Sequence, residues 1–450
     1  MTDRRLHTFL LLLATLLVMA AGVACVEPID ITTPEVTEEV ELNFEIVLPS
    51  ATLSTKAEPI PTSAAEAEGA INDLWIWAFP SGGSDDPDAV AFLHPTLPLP
   101  TDGRVTFKLR SAVANGYDKL DFFVLANGAS AGFSATEKAK RSALKNASIS
   151  GDTATGFGVA KVETVPSGGL PMACAIENFD IRFLRYGFTA AQKTAVAKKV
   201  SETPEGVFDN DDLVEVGLTA VQREFIWQQL FRNITGTWTD LKTALFPEPQ
   251  MPLVRDVSKI RFVFAKSTNM ATTTTEITSI ELVNEKTPKT ETAEAEYEYM
   301  LPKATWLFPR STTSYDDWEA FKWEGVPLIG TIASVDSPLR LRFDKTNLSL
   351  ANYEKFLDEE IAAGYATEKV LYLRESDKAH IQAKITYTLG DESGKVAYID
   401  LPGNFYRNTW WTVYAYFVKF ELEYQVTVRN TWDVYGANGA PGAISYGGGV

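Results

Sequence analysis

The sequence predicts an all-β chain: two antiparallel β-sandwiches in tandem, with a helical insertion in the first. Three observations predict it. Short segments in which apolar and polar residues alternate recur along the 450 residues, the period of strands with one face buried. Gly, Pro and Asn punctuate these segments as turns. The one stretch with helical spacing, 189–246, interrupts the pattern once, and the repeated strand–helix alternation of a parallel sheet is missing.

The chain opens with Arg4, Arg5 and His7, followed by a mostly apolar run from Phe9 to Ala24. Residues 1–24 therefore read as a secretory signal peptide. The run is short for a membrane span, and a retained anchor helix is the competing reading. It ends "AAGVAC". Cys25 stands at the acceptor position of bacterial lipoproteins; Val23 and Ala24 suit that position, whereas Gly22 replaces the usual branched residue and also fits ordinary small-x-small cleavage. Cys25 is expected to carry a lipid. Cys174 is the only other cysteine. That excludes a disulfide framework or a cysteine zinc cluster and leaves a buried thiol.

Residues 26–39 are acidic and rich in Pro and Thr, as in a tether. In "VELNFEIVL", Val40, Leu42, Phe44, Ile46 and Leu48 place five apolar groups on one strand face. A small, polar, Pro-containing linker follows, so this strand must pair with something distant. Strands are expected at 71–79, 104–109, 119–127, 177–184, 257–265 and 276–284, with a short helix at 134–147. The insertion reads as three helices, 189–200, 218–232 and 238–246. A second set of strands, among them 339–343, 369–373, 380–389, 395–401, 409–420 and 424–432, forms the second sandwich. The expected domains are 57–300 and 301–432, followed by a Gly-rich tail, 433–450.

The formal charge of −18 and the lack of a basic run argue against nucleic acid as a partner. "FVLANGASAG" contains G-x-S-x-G at Gly128, Ser130 and Gly132, the pattern of a hydrolase nucleophile elbow. The histidines are His7, His94 and His380. His94 precedes Ser130, and His380 heads a strand in the second half, so Ser130 reads as a strand-end turn and the chain as a non-enzyme. No metal-ligand or phosphate-loop spacing stands out, and no cofactor is expected. Trp410, Trp411, Tyr414 and Tyr416 could form a sugar-stacking face, but at strand positions core packing explains them better.

Taken in order, "LSTKA", "INDLWIWAF", "FFVLANGAS", "GGLPMACA", "PLVRDVSKIRFVF", "ITSIELVN", "LYLRES" and "NFYRNTWWTVYAYFVKFELEYQVTVRNTW" resemble the motifs of the fimbrillins of the Bacteroidales, the pilins of type V pili. The helical insertion departs from simpler members. The resemblance implies Greek-key, transthyretin-like sandwiches and a structural pilin that leaves the cell as an outer-membrane lipoprotein. It further implies that a trypsin-like protease then cuts the chain between Lys56 and Ala57, which makes residues 25–56 a lipidated propeptide. Lys56 is the only Lys or Arg between Arg5 and Arg104; an arginine-specific enzyme would reject it. The cut frees the strand bearing Val40, Leu42, Phe44, Ile46 and Leu48. The C-terminal strand of another subunit, with Ile444, Tyr446 and Val450 as the donor face, fills the groove, and subunits chain head to tail.

Burying five such side chains favours insertion by roughly 8–15 kcal/mol. Ordering about nine residues costs on the order of 9–18 kcal/mol. The terms nearly cancel, so main-chain hydrogen bonds and the covalent tether decide occupancy, and cutting the tether makes the strand exchangeable. The run 433–450 favours a stalk subunit, since a tip has nothing beyond it to complete. A tip or accessory adhesin, and a surface enzyme or glycan-binding lipoprotein, are the alternatives. The fimbrial and adhesin readings leave a surface ligand unspecified.

Overall fold

Alternation along the chain does become strands, and their pairing decides the architecture. The computed structural model describes residues 39–47, most of 67–324, 357–429 with short gaps, and 444–449. Cys25, Leu48, Lys56, Ala57, Val450 and the expected strand 339–343 lie outside the described residues.

The first strands are β1 (Glu39–Val47), β2 (Leu74–Pro80), β3 (Ala91–Leu93), β4 (Arg104–Arg110), β5 (Lys119–Ala126), β6 (Ser148–Ser150), β7 (Lys161–Val162), β8 (Met172–Asp180), β9 (Gln250–Pro252) and β10 (Val254–Arg255). They are followed by β11 (Val257–Lys266), β12 (Thr275–Thr287), β13 (Glu296–Tyr299) and four short strands, β14 (Leu301–Pro302), β15 (Ala304–Trp306), β16 (Trp318–Glu319) and β17 (Phe321–Glu324). The last six are β18 (Ala366–Arg374), β19 (Ile381–Leu389), β20 (Glu392–Leu401), β21 (Trp410–Val418), β22 (Glu421–Arg429) and β23 (Ile444–Gly449). The protein is mostly β, in several largely antiparallel sheets.

Two sheets, β4-β1-β9 and β10-β8-β5-β2-β3, contribute to one buried core, which includes Phe44, Phe107 and Phe122. Two more, β23-β22-β21-β11-β18-β7 and β13-β12-β19-β20, contribute to a second core around Phe262, Ile280, Ile385 and Trp411. The division expected near residue 300 is crossed by the pairing. β11 runs antiparallel to β18 and parallel to β21, and β12 pairs with β19. Residues 257–287 thus build the later sheets, while β15 returns to pair with β6 and places Leu307 and Phe308 in the first core. Every residue of β11 is buried. Such a strand announces its length in the sequence but not its partners.

Other differences are local. The strand expected at 177–184 is β8, 172–180, and 182–186 is a 3-10 turn. Small residues, Ala173 to Ala175, hide its first half, and a bulge at Glu177 and Asn178 breaks its alternation. The helix expected at 134–147 is only α1 (Arg141–Lys145); a 3-10 turn, Gly128–Ala131, holds Ser130. The insertion contains α2 (Ala190–Glu202), α3 (Asn210–Glu215) and α4 (Ala220–Phe231). Thr189 and Gln192 close a capping box on α2. Residues 238–244 of the third expected helix lie outside the described residues, and 245–246 are not helical.

A buried polar junction joins the two cores. Glu68, 4% exposed, accepts from Lys259 Nζ at 2.6 Å and from the Tyr372 hydroxyl at 2.6 Å. Its carbonyl accepts from Arg255 Nε at 3.0 Å. Lys259 also stands 4.1 Å from the centre of the Trp410 ring. Nearby, Arg407 donates to Asp256 at 2.9 Å, to Glu375 at 2.8 Å and to the carbonyl of Trp306 at 2.8 Å. Tyr315 donates to the same Glu375 oxygen at 3.0 Å. Burial pushes the Asp256 carboxyl well above its usual range, against the pull of Arg407. It likewise raises the Tyr372 phenol, helped by the Glu68 charge.

Replacing Arg407 by Met leaves Asp256 and Glu375 buried without their cation. The expected loss is about 3–5 kcal/mol, read from the urea midpoint at neutral pH. A raised native pKa means the native state holds more protons than the unfolded one, so stability falls as pH rises through the window between the two values. The deficit of the Arg407→Met chain should therefore shrink from pH 8 to pH 5; a deficit independent of pH would contradict this account.

Candidate functional site

The best-defined candidate is the slot occupied by β1. Its alternating side chains give it one buried face: Leu42, Phe44 and Ile46 are each no more than 2% exposed, and Val40 is partly buried. Phe44 meets Phe107 of β4 and Phe122 of β5 edge to face, with centroids 5.4 and 4.9 Å apart. The opposite face carries Glu41, Asn43 and Glu45, exposed or partly so.

β1 is the middle strand of its sheet. On one side Ile46 N–H donates to the Gly103 carbonyl at 2.9 Å, and Thr106 Oγ1 donates to Asn43 Oδ1 at 3.1 Å. The pairs 46 with 103 and 43 with 106 run in opposite sequence directions, so β1 is antiparallel to β4. On the other side it is parallel to β9, with Glu45, Ile46 and Val47 opposite Gln250, Met251 and Pro252. Glu45 N–H donates to the Pro249 carbonyl at 3.1 Å, and Leu253 N–H donates to the Val47 carbonyl at 3.0 Å. Gly103 is required where the slot is tightest: its φ is +67°, and a Cβ there would lie 2.3 Å from the Ile46 carbonyl oxygen.

Of the other sequence-derived residues, Ile444 and Tyr446 belong to β23, the outer strand against β22, with Ile444 opposite Val428 and Tyr446 opposite Val426. Ser130 is buried, and its hydroxyl has no hydrogen-bond partner among the described residues. His94 pairs with Asp73 at 2.9 Å and stacks on Trp75, and His380 sits at an exposed turn with φ +56°. Cys174 is a free, buried thiol pushed up to about 12 by burial. Trp410, Trp411, Tyr414 and Tyr416 are all buried.

The quoted motifs also find structural roles that sequence reading missed. Asn127 of "FFVLAN" is 1% exposed and adopts φ +57°. Its amide donates to the carbonyls of Ala70 and Leu170 at 2.8 Å, and its oxygen accepts from Asn72 N–H. Arg255, Lys259, Tyr372, Glu375 and Arg407, drawn from three further motifs, meet in the polar junction. Charged residues within apolar strand patterns were the available signal.

No family model matches the chain, and no curated protein does. Among solved structures it is similar to the tip fimbrial protein Mfa3 from Porphyromonas gingivalis with C-terminal truncation: 12% identity over 87% of this chain and 99% of that one, TM-score 0.41. A putative cell adhesion protein from Parabacteroides distasonis gives 11% identity, 92% and 97% coverage and TM-score 0.40. Another from Bacteroides eggerthii gives 11%, 87% and 95%, and 0.39.

Truncating Phe44 to Ala is expected to cost about 3–5 kcal/mol. Gly103→Ala adds strain of about 1–3 kcal/mol or more at the same seat. Because both act by loosening β1, their combined loss should fall short of the sum, and thermal melts of the two single variants and the double variant measure the coupling. Strict additivity would mean that Gly103 does not govern the seating of β1.

Proposed function

We propose that this chain is a structural subunit of a bacterial surface fimbria, assembled by exchange of β1 for a strand of another copy. The observation that carries the reading is β1 itself: a middle strand with a buried apolar face, joined to the body through the segment that holds Lys56. A cut there leaves β1 held only by noncovalent contacts, whose gains and ordering costs nearly cancel. Loss of β1 would uncover Phe107 and Phe122 and the edges of β4 and β9, a surface that takes up another strand.

On this reading the chain is exported with a lipid on Cys25, cut between Lys56 and Ala57 by a trypsin-like protease, and carried into an extracellular polymer without its anchor. The donor is the 444–450 segment. Among the described residues, 444–449 lie at the outer edge of their own sheet, with one neighbour, β22. A strand held on one side exchanges more readily than one held on two, and this supports a polymerising stalk subunit.

The test is limited trypsin digestion of residues 26–450, followed by N-terminal sequencing and unboiled gel electrophoresis. A new terminus at Ala57, with a ladder of SDS-resistant multimers that Lys56→Gln abolishes, is the expected result. Cutting at Lys56 without multimers would overturn the stalk assignment. Digestion that instead unfolds the chain would overturn strand exchange altogether.

A further inference from the structure

A cavity of about 480 Å³ lies between the end of β8 and α4 of the helical insertion, and its wall residue Phe179 meets Phe122, which also packs on Phe44 of β1. Phe179, Phe183 and Phe225 supply much of its apolar wall. Its polar side is built by a bulge. Leu120 pairs with Phe179 and Phe122 with Ile176, so Glu177 and Asn178 together oppose the single residue Asp121. Asn178 takes φ +61°, a conformation that side chains rarely adopt.

The bulge is held by a buried charge. Asp121, 3% exposed, accepts from Asn178 N–H at 2.8 Å, from Ser81 Oγ at 2.5 Å and from Arg141 Nη1 at 3.1 Å. Asn is among the side chains that tolerate this conformation, and the buried carboxylate holds the bulge in place. The bulge presents the Asn178 side chain, which is exposed, lines the cavity and makes no side-chain hydrogen bond among the described residues.

The charges at the rim cancel locally. Asp180 is bridged by Arg182 Nε at 3.0 and 2.9 Å, and Glu177 pairs with Lys145. The Lys193 ammonium stands 5.5 Å from the centre of the Phe183 ring and does not line the cavity. An ionised ligand would find no uncompensated counter-charge. A purely apolar one would leave the Asn178 amide and the spare donors of Arg182 unused. A ligand with an apolar face and hydroxyls that both donate and accept satisfies both sides.

We propose that this cavity is a binding site for a neutral saccharide, with a sugar ring against the phenylalanines and hydroxyls on Asn178 and the Asp180–Arg182 pair. The size suits one or two rings. None of its described lining residues belongs to β1, and the site gives the insertion a role in contact with a glycosylated surface.

The test uses the purified chain on a printed array of neutral oligosaccharides and their sialylated counterparts, followed by calorimetric titration with the best neutral binder. Asn178→Gly removes the amide while relieving the positive φ. It should weaken binding at least tenfold with the thermal midpoint unchanged or raised. Arg182→Lys, at the rim and outside the core, should weaken binding as well by breaking the bidentate pair. No binding to any neutral glycan, preference for the sialylated forms, or undiminished affinity in both variants would overturn the proposal.

Discussion

The buried junction of Glu68, Arg255, Asp256, Lys259, Tyr372, Glu375 and Arg407 is the interaction on which the rest of the architecture depends. Its members come from points as far apart as residues 68 and 407, and several hydrogen bonds bridge more than 150 positions. Burying this many ionised groups costs free energy that their mutual attraction only partly recovers. Its contribution is one of uniqueness. A slip of β11 by one residue would move Lys259 away from Glu68 and leave charges without partners in a dry interior. The junction thus fixes which strand of the first core faces which strand of the second.

That fixed frame makes β1 the exception. Its seat is well shaped, yet its apolar side chains do little more than offset the ordering of its own backbone. Glu68 lies beyond the linker and is anchored to β11 and β18. The junction itself therefore takes no residue from β1, whereas among the described residues β4 and β9 are joined in one sheet only through β1.

Much of this was legible from residue order. Alternation located β1, β2, β4 and β19 closely, and the helical piece expected at 189–200 matches α2. What the order could not convey was partnership. Glu45 lies opposite Gln250, about two hundred positions away, and nothing in either segment encodes the other. The polar junction was hidden for a related reason: Arg255, Asp256 and Arg407 are charged, and charge in isolation reads as surface. Their burial follows only once three segments converge. The bulge at Glu177 and Asn178 was illegible because the carboxylate that stabilises it, Asp121, sits on another strand.

One consequence of the slot concerns direction. Its two walls are unequal: β4 is seven residues long and antiparallel to β1, while β9 is three residues long and parallel. A newcomer running the same way as β1 keeps the stronger antiparallel ladder along the long wall; one running the opposite way keeps it only along the short one. The seat therefore discriminates between the two senses of entry through wall length alone. A strand seat built this way carries a polarity, set by two neighbouring strands of unequal length within one chain.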